Sequence, residues 1–287
     1  MRVLVFGKTG QVGRELARQG GEIILLGRDT ADFGRPETCA QAIADHAPDA
    51  VINAAAYTAV DQAEEEEALA TAINGTAPGV IARACADRGL PLVHISTDYV
   101  FAGTGAAPHR PDDPTTPLSA YGRSKLQGEA AVRAAGGAHA ILRTSWVISA
   151  HGSNFVKTML RVGAARGTVR IVTDQIGGPT PAAAIAQACL GIAAQLAGDA
   201  DKSGTYHFSG APDTSWAGLA RAVFDAARLD VAIEEIASTD YPTPARRPLN
   251  SRLECTRTRE TFGIDRPDWR EGLSDILEDL RLQGDLT

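Results

Sequence analysis

The sequence contains little of the chemistry that disulfide-stabilised or zinc-binding proteins need. Its 287 residues include six histidines, which do not cluster, and four widely spaced cysteines with no Cys-x-x-Cys pair: Cys39, Cys85, Cys189 and Cys255. Such spacing predicts buried free thiols in a reducing cytoplasm rather than a disulfide framework. It gives no support to a zinc site.

Positive charge and long apolar runs are also missing. Acidic residues outnumber basic ones by 35 to 28, and a formal charge of -7 argues against a nucleic-acid binder. No apolar run is long enough to cross a bilayer, so we expect no membrane partner. The first apolar run, residues 2–6, is short and ends in glycine, which predicts a strand rather than a signal peptide.

The first half of the sequence alternates between strand and helix signals. Apolar runs at 2–6, 22–26, 50–56, 92–100 and 138–147 alternate with helical spacing at 11–19, 36–46, 61–88 (broken near Asn74) and 119–135. Continuously apolar strands between helices are typical of a parallel sheet covered on both faces. We therefore predict an α/β fold with a Rossmann-like, doubly wound parallel sheet.

The second half is less regular and predicts a second lobe. Strand signals at 169–173 and 205–208 flank an alanine-rich helix at 182–197, and a proline-rich loop covers 241–248. We assign residues 1–145 to a dinucleotide-binding domain, with parts of 163–207 returning to it. Residues 146–162 and 208–287 would form a smaller mixed α/β lobe over the carboxyl edge of the sheet.

Three glycines follow the first strand directly. Gly7, Gly10 and Gly13 carry no side chain, so a pyrophosphate could approach the backbone amides and the start of the next helix. A tight strand–helix turn without a ligand is the alternative. The candidate dinucleotide-binding residues of this loop are Gly7, Thr9, Gly10, Gln11, Val12 and Gly13.

The end of the second strand bears on the choice of cofactor. A basic residue there suits the 2′-phosphate of NADPH, whereas an acidic one suits the ribose hydroxyl of NADH. Arg28 favours NADPH, and the neighbouring Asp29 is the counterargument that leaves NADH possible. Asp32 and Phe33 follow, where such folds often contact the adenine.

Small and polar residues end the third and fourth strands, at the edge where this architecture binds ligands. A hydroxyl from Ser96 or Thr97 could hydrogen-bond a carbonyl oxygen and stabilise charge that develops on it. Simple strand-end capping is the alternative. After the third strand, the candidate cofactor contacts are Asn53, Ala54, Ala56, Tyr57 and Thr58.

Tyr121 and Lys125 are four residues apart and so share one face of a helix. A cation beside a phenol favours the phenolate and lowers the pKa of the phenol. The pair could therefore donate and accept protons, although a Tyr-x-x-x-Lys spacing alone is common by chance.

Taken together, these motifs resemble the extended short-chain dehydrogenases and, within them, the dTDP-4-dehydrorhamnose reductases. The strings that carry the resemblance extend along nearly the whole chain: FGKTGQVG (6–13), NAAA (53–56), TAVD (58–61), STDYVF (96–101), RTSWV (143–147), NFVKTML (154–160), TDQ (173–175), GPT (178–180), YPTPARRP (241–248) and NSRL (250–253).

The resemblance implies a role for each matching residue. Tyr121 would give a proton to the sugar C4 oxygen, Lys125 would bind the nicotinamide ribose, and Thr97 would bond the same oxygen as Tyr121. Asp98 would contact the substrate and Trp146 would pack against the sugar, unless it is a core aromatic. Of the remaining basic residues, Arg246 and Arg247 could face the diphosphate, unless they brace their loop.

The implied function is reduction of the C4 keto group of dTDP-4-dehydro-L-rhamnose by NADPH or NADH. A nucleotide-sugar 4-epimerase with bound NAD⁺ and a non-catalytic regulatory subunit are the alternatives. Some members of the family bind Mg²⁺ through glutamates at a dimer contact. Here Glu15 is present, but residues 182–184 are alanines, so we expect no metal and leave monomer or homodimer open.

Overall fold

The computed structural model, which describes residues 1–286, consists of thirteen strands and ten α-helices. The strands are β1 (Arg2–Phe6), β2 (Glu22–Leu26), β3 (Ala50–Asn53), β4 (Leu92–Thr97), β5 (His139–Thr144), β6 (Val147–Ile148), β7 (Thr168–Val172), β8 (Ile176–Gly177), β9 (Thr180–Pro181), β10 (Gly204–His207), β11 (Thr214–Ser215), β12 (Ala232–Ile236) and β13 (Asn250–Ser251). The helices are α1 (Gln11–Arg18), α2 (Glu37–His46), α3 (Glu67–Thr71), α4 (Ala77–Ala86), α5 (Ala120–Ala135), α6 (Phe155–Ala165), α7 (Ala182–Gly198), α8 (Trp216–Ala227), α9 (Thr256–Phe262) and α10 (Trp269–Leu282).

The main sheet has six strands in the order β10-β5-β4-β3-β1-β2, and every pairing is parallel. Both faces are covered: α1 and α7 bury one face with Leu16 and Ile185, while α2, α4 and α5 bury the other with Ile43, Ile81 and Val132. Such cover explains why the strands are apolar throughout. The predicted doubly wound α/β fold is confirmed.

The strand order places two loops side by side. The chain leaves β1 for β2 on one side and later returns to β3 on the other, so the loops that follow β1 and β3 meet at the carboxyl edge. This reversal of strand order is where open α/β sheets bind their ligands.

The remaining elements form smaller sheets with their own core. β7 pairs with β12, β8 lies between β11 and β13, and β6 pairs with β9. Helices α6, α8 and α10 bury a separate apolar cluster around Trp269. Within 163–207, β7 pairs with β12 of the second half, whereas β10 joins the main sheet, and Phe262 of α9 packs on Tyr206 in the core of that sheet.

Local details follow the sequence in part: the strands predicted at 50–56, 92–100 and 138–147 end earlier, at Asn53, Thr97 and Thr144. The long helix predicted over 61–88 is divided into a 3₁₀ turn at Gln62–Glu64, α3, a π-helical turn at Ala72–Thr76 and α4. The predicted break near Asn74 therefore lies inside the π turn. All four cysteines are free and buried, as predicted. Within residues 1–286, none of the helices has both the length and the apolar character needed to cross a membrane.

Candidate active site

The glycine loop between β1 and α1 is shaped by close backbone approaches. Gly7 has a φ of +108°, and a Cβ there would lie 2.8 Å from the backbone of Ala54. A Cβ at Gly13 would clash with the carbonyl oxygen of Gly7. Since Gly10 begins α1 without a side-chain cap, the first amides of the helix stay available to a phosphate.

The other residues of the glycine loop differ in their exposure to solvent. Thr9 is exposed on the loop, whereas Val12 is buried in the core and can offer a ligand only its backbone. The Gln11 amide oxygen accepts a hydrogen bond of 3.0 Å from Asn154, which begins α6 of the second lobe.

Arg28, beyond the end of β2, has a side chain that is 79% exposed and 3.9 Å from Asp32. Asp32 itself accepts a 2.9 Å hydrogen bond from the Gly34 amide. Phe33 is buried edge-on against Phe6, with ring centroids 5.7 Å apart. Arg28 and Asp32 are therefore the predicted cofactor contacts that face solvent here, while Phe33 lies in the core.

The residues after β3 form a turn next to the glycine loop, at the carboxyl edge of the sheet. Buried Asn53 accepts a 3.1 Å bond from the amide of Ala55 and lies 3.0 Å from His94 Nδ1. Ala54 is half-buried against the glycine loop, whereas Ala56 and Thr58 are exposed. Asn53 thus shapes the turn, and the small residues leave room above it.

Asn74 is a site-building residue that the sequence-based reasoning did not identify. Its side chain accepts from the Tyr57 amide at 2.8 Å and donates to the Tyr57 carbonyl at 3.0 Å. It also donates to the Ser124 hydroxyl at 3.0 Å, and Ser124 in turn donates to the carbonyl of Tyr121. Asn74 therefore joins the loop after β3 to α5, and the Asn-Gly pair inside a helical stretch was the signal for it.

Tyr121 and Thr97 meet at the carboxyl end of β4. Thr97 is the last residue of β4, and Tyr121 lies in the first turn of α5, which Ser119 caps by accepting from the Gly122 amide. The Thr97 hydroxyl lies close enough to the Tyr121 hydroxyl to act against the rise of the pKa of that phenol. The ring of Tyr99 packs edge-on against Tyr121, with centroids 5.6 Å apart.

The predicted lowering of the Tyr121 pKa by Lys125 is wrong. Burial, with a smaller contribution from the charge of Asp98, raises the pKa of Tyr121 to about 12. Lys125 is only 2% exposed, and its Nζ donates to the carbonyl of Ile95 at 2.7 Å. Its ammonium is therefore held by the backbone of β4, and burial lowers the pKa of Lys125 to about 8.

Asp98 lies next to Thr97 and is 3% exposed. Its Oδ1 accepts from Thr97 at 3.2 Å, but Oδ2 has no hydrogen-bond partner within residues 1–286. Burial raises the pKa of Asp98 to about 6, and the nearby hydroxyls of Ser251 and Thr97 act in the opposite direction. A buried carboxylate oxygen with no partner is well suited to a ligand hydroxyl.

Trp146 is stacked on Trp216, with centroids 3.7 Å apart and planes 10° apart. It has a left-handed φ of +48°, and a Cβ at Gly177 would lie 2.9 Å from its ring. Trp216 is fixed by a 3.1 Å bond from its indole nitrogen to Gln175. Trp146 is half-buried, so it retains open surface, and sequence reasoning did not identify its partner Trp216.

The two candidate diphosphate arginines differ. Arg247 forms a bidentate pair with Asp61, with distances of 3.0 and 2.8 Å, and so braces the proline-rich loop against the segment after β3. Arg246 is exposed beside it. The structure therefore brings Arg247 to a loop-bracing contact and leaves the Arg246 side chain facing solvent.

The carboxylates near Glu15 do not suit Mg²⁺. Glu15 is 5% exposed, and Arg18 pairs with it at 3.8 Å and with Asp279 of α10 in a bidentate contact. Alanines 182–184 line the same groove of about 680 Å³. Arg18 occupies the space between Glu15 and Asp279, and no group of three potential ligand side chains occurs in residues 1–286, so the carboxylates of this groove do not assemble a site that fits the ion.

Comparison with known proteins places this site in a family. The profile of the family described as RmlD substrate binding domain matches residues 1–282. A relative from Burkholderia thailandensis named dTDP-4-dehydrorhamnose reductase is 48% identical, over 99% of this chain and all of its own length.

Solved structures agree with this match. A dTDP-4-dehydrorhamnose reductase from Clostridium acetobutylicum is 33% identical with a TM-score of 0.91, covering 98% of this chain and 100% of its own. Another from Bacillus anthracis, in complex with NADP, is 33% identical with a TM-score of 0.90 and covers 97% and 99%. The chain belongs to the RmlD family of dTDP-4-dehydrorhamnose reductases, as the resemblance of its motifs predicted.

Proposed function

We propose that this protein reduces the C4 keto group of dTDP-4-dehydro-L-rhamnose with NADPH to give dTDP-L-rhamnose. The observation that carries the proposal is the placement of buried Thr97 at the end of β4 next to α5, which carries Tyr121 and buried Lys125, at the carboxyl edge of the sheet. The family, the curated relatives and a relative in complex with NADP support the same activity.

The chain offers a binding site that fits the dinucleotide. The amides of the Gly7–Gly13 loop would hold the pyrophosphate, since a Cβ at Gly7 or Gly13 would close the loop. Arg28 is exposed and free to turn toward a 2′-phosphate, which favours NADPH over NADH. When bound, NADPH supplies the hydride that is transferred to C4 of the sugar.

Tyr121 would deliver the proton that balances this hydride. Because its pKa is about 12, the phenol is fully protonated at neutral pH and is in the form that a donor requires. As charge grows on the C4 oxygen, the Tyr121 proton moves to it while the Thr97 hydroxyl shares the load by a second hydrogen bond. Lys125, released from Ile95 to the nicotinamide ribose, would stabilise the phenolate that remains.

The second lobe would hold the sugar and its diphosphate. Asp98 Oδ2 would accept a sugar hydroxyl, and the open face of Trp146 would pack on the sugar ring. Arg246 would meet the diphosphate first, because Asp61 occupies Arg247.

Incubation of the protein with dTDP-4-dehydro-L-rhamnose and NADPH tests the proposal. Nicotinamide absorbance should fall in proportion to the dTDP-L-rhamnose that forms. Retention of NAD⁺ through purification, with interconversion of nucleotide sugars and no net oxidation of NADPH, would instead identify a 4-epimerase. No turnover and no cofactor binding would point to a non-catalytic subunit.

A further inference from the structure

A buried ion pair lies directly behind the candidate catalytic residues. Glu129 of α5 and Arg143 of β5 form a bidentate contact of 2.8 and 2.7 Å, and their side chains are 0% and 3% exposed. Moving both charges out of water costs free energy that can exceed the gain from their attraction, so a gain in stability does not by itself explain the buried pair. Neither residue has a role in the chemistry described so far.

The pair connects the elements that carry the catalytic side chains. Ser96 donates to Glu129 at 2.7 Å and immediately precedes Thr97. Glu129 is one helical turn beyond Lys125, and Arg143 pairs in register with Ser96 on the adjacent strand. Arg143 also donates to the carbonyl of Pro111, in the loop that leads toward α5.

We propose that Glu129 and Arg143 act as a positioning unit for Thr97, Tyr121 and Lys125, and that the Glu129 carboxylate balances the charge of the buried Lys125. This inference rests on the proposed function for the roles of those three residues. Its geometric basis is that one carboxylate, buried completely, holds the end of β4 against the helix that presents both Tyr121 and Lys125.

The titratable groups that face this cluster lie on four elements, α5, β4, β5 and β10. Besides Lys125, Glu129 faces Arg133 of its own helix at 3.4 Å and Arg143 of β5. His207 of β10 lies 3.4 Å from Arg143, and burial lowers the pKa of His207 to about 3, so it is neutral. His94 of β4 faces Lys125, and its pKa is lowered by burial and, to a smaller extent, by the charge of Lys125. Burial also lowers the pKa of Lys125, and the negative charge of Glu129 acts against that lowering.

Glu129→Gln tests the charge-balancing role. Loss of the negative charge should lower the pKa of Lys125. The alkaline limb of the plot of kcat against pH should then move down by about one pH unit or more, and so should that of NADPH affinity, which is measured by fluorescence. At pH 8 the Kd for NADPH should therefore rise by roughly fivefold or more, because the charged fraction of Lys125 falls. Glu67→Gln is the control. Glu67 of α3 forms an exposed ion pair with Arg123 of α5, the helix that also carries Glu129, and its loss should leave both alkaline limbs in place.

Two further variants separate position from charge. Glu129→Asp keeps the charge, so the alkaline limb should stay near the wild-type value while kcat falls. The double variant Glu129→Gln with Arg143→Met removes both charges; it should regain thermal stability relative to Glu129→Gln but keep the shifted limb.

The outcomes distinguish this inference from the proposed function. An unshifted alkaline limb in both Glu129→Gln and the double variant, with only a lower Tm, would reduce the pair to a structural role and overturn the inference. If the wild type binds NADPH but does not reduce the keto sugar, the proposed function fails, and the pH dependence of NADPH binding still decides the role of Glu129.

Discussion

Burial sets the protonation of the three side chains around Thr97. It raises the pKa of Tyr121 to about 12 and of Asp98 to about 6, and it lowers the pKa of Lys125 to about 8. At neutral pH the phenol is therefore protonated, the carboxylate is largely ionised and the amine is largely charged. These are the forms that a proton donor, a hydroxyl acceptor and a ribose ligand require.

Tyr121→Phe removes the hydroxyl and keeps the ring, so the protein should still fold. We expect kcat for the keto sugar to fall by ~10²–10⁴-fold, the usual contribution of a positioned general acid. Tyr206→Phe is the control, because this tyrosine donates to the Lys202 carbonyl away from the site. A loss of less than threefold in Tyr121→Phe would contradict the assigned role.

Asp98→Asn should weaken substrate binding and stabilise the fold. In the wild type the folded-state pKa of Asp98 lies above its ordinary value, so its contribution to stability is complete below about pH 4 and is lost as the pH rises through 6. At pH 8 the variant should therefore be more stable by up to ~3 kcal/mol, with the advantage gone near pH 4.

Thermal unfolding at pH 4 and pH 8, with KM for the nucleotide sugar, measures this prediction. Asp112→Asn is a control of opposite sign, because a hydrogen bond from Arg257 lowers the pKa of exposed Asp112. If the Tm of Asp98→Asn at pH 8 is lower than that of the wild type, burial of the ionised Asp98 carboxylate does not destabilise the fold, and the prediction is wrong.

At the scale of elements, the strands and helices of the first half could be predicted because each carries a local signal. Apolar runs located β1 to β5, although the runs predicted for β3, β4 and β5 each extend three residues past the end of the strand, and Ser119 with the spacing after it located α5 to within one residue. The second half gave weaker signals, because β6, β8, β9, β11 and β13 are two residues long and depend on long-range pairing.

The location of candidate site residues could be predicted where a residue type and its place on a strand or helix carry the signal. Thr97 at the end of β4, and Tyr121 and Lys125 in α5, follow from such positions, and their roles stay predictions. The pairing of Trp146 with Trp216 and of Arg247 with Asp61 joins residues 70 or more positions apart, and no local pattern encodes it. The raised Tyr121 pKa was missed because spacing indicates proximity to a charge but not burial.

The end of β2 should decide the choice of cofactor. Arg28→Ala removes the exposed guanidinium that is suited to the 2′-phosphate, and a lost charge-assisted contact costs ~1.5–3 kcal/mol, or about 10- to 150-fold in kcat/KM for NADPH. The kcat/KM for NADH should change little. Arg35→Ala is the matched control, since this arginine is also exposed and lies 3.7 Å from Asp32. An unchanged NADPH-to-NADH ratio in Arg28→Ala would rule out a contact between Arg28 and the 2′-phosphate.

At the scale of the whole molecule, the groove between α1, α7 and α10 bears on metal dependence. In this groove the Arg18 guanidinium lies between the carboxylates of Glu15 and Asp279, where a metal ion would otherwise bind. We therefore expect EDTA to leave both the reductase rate and the molecular mass nearly unchanged. Light scattering with and without EDTA, alongside the rate, is the measurement, and a dimer through another surface is compatible with it.

A fall to monomer on chelation, or a large loss of rate that Mg²⁺ restores, would contradict this account. Arg18→Gln extends the test, because it frees both carboxylates; if the guanidinium is what excludes the ion, this variant should gain Mg²⁺ binding that the wild type lacks.

In the proposed reaction, hydride reaches C4 of the sugar while Tyr121 supplies the proton to its oxygen. The most direct measurement uses NADPH carrying deuterium at the transferable position of the nicotinamide, with NMR of the nucleotide-sugar product. We expect one deuterium at C4 of dTDP-L-rhamnose in wild type, and the same label, formed far more slowly, in Tyr121→Phe. Deuterium absent from C4, or present at another carbon, would contradict it.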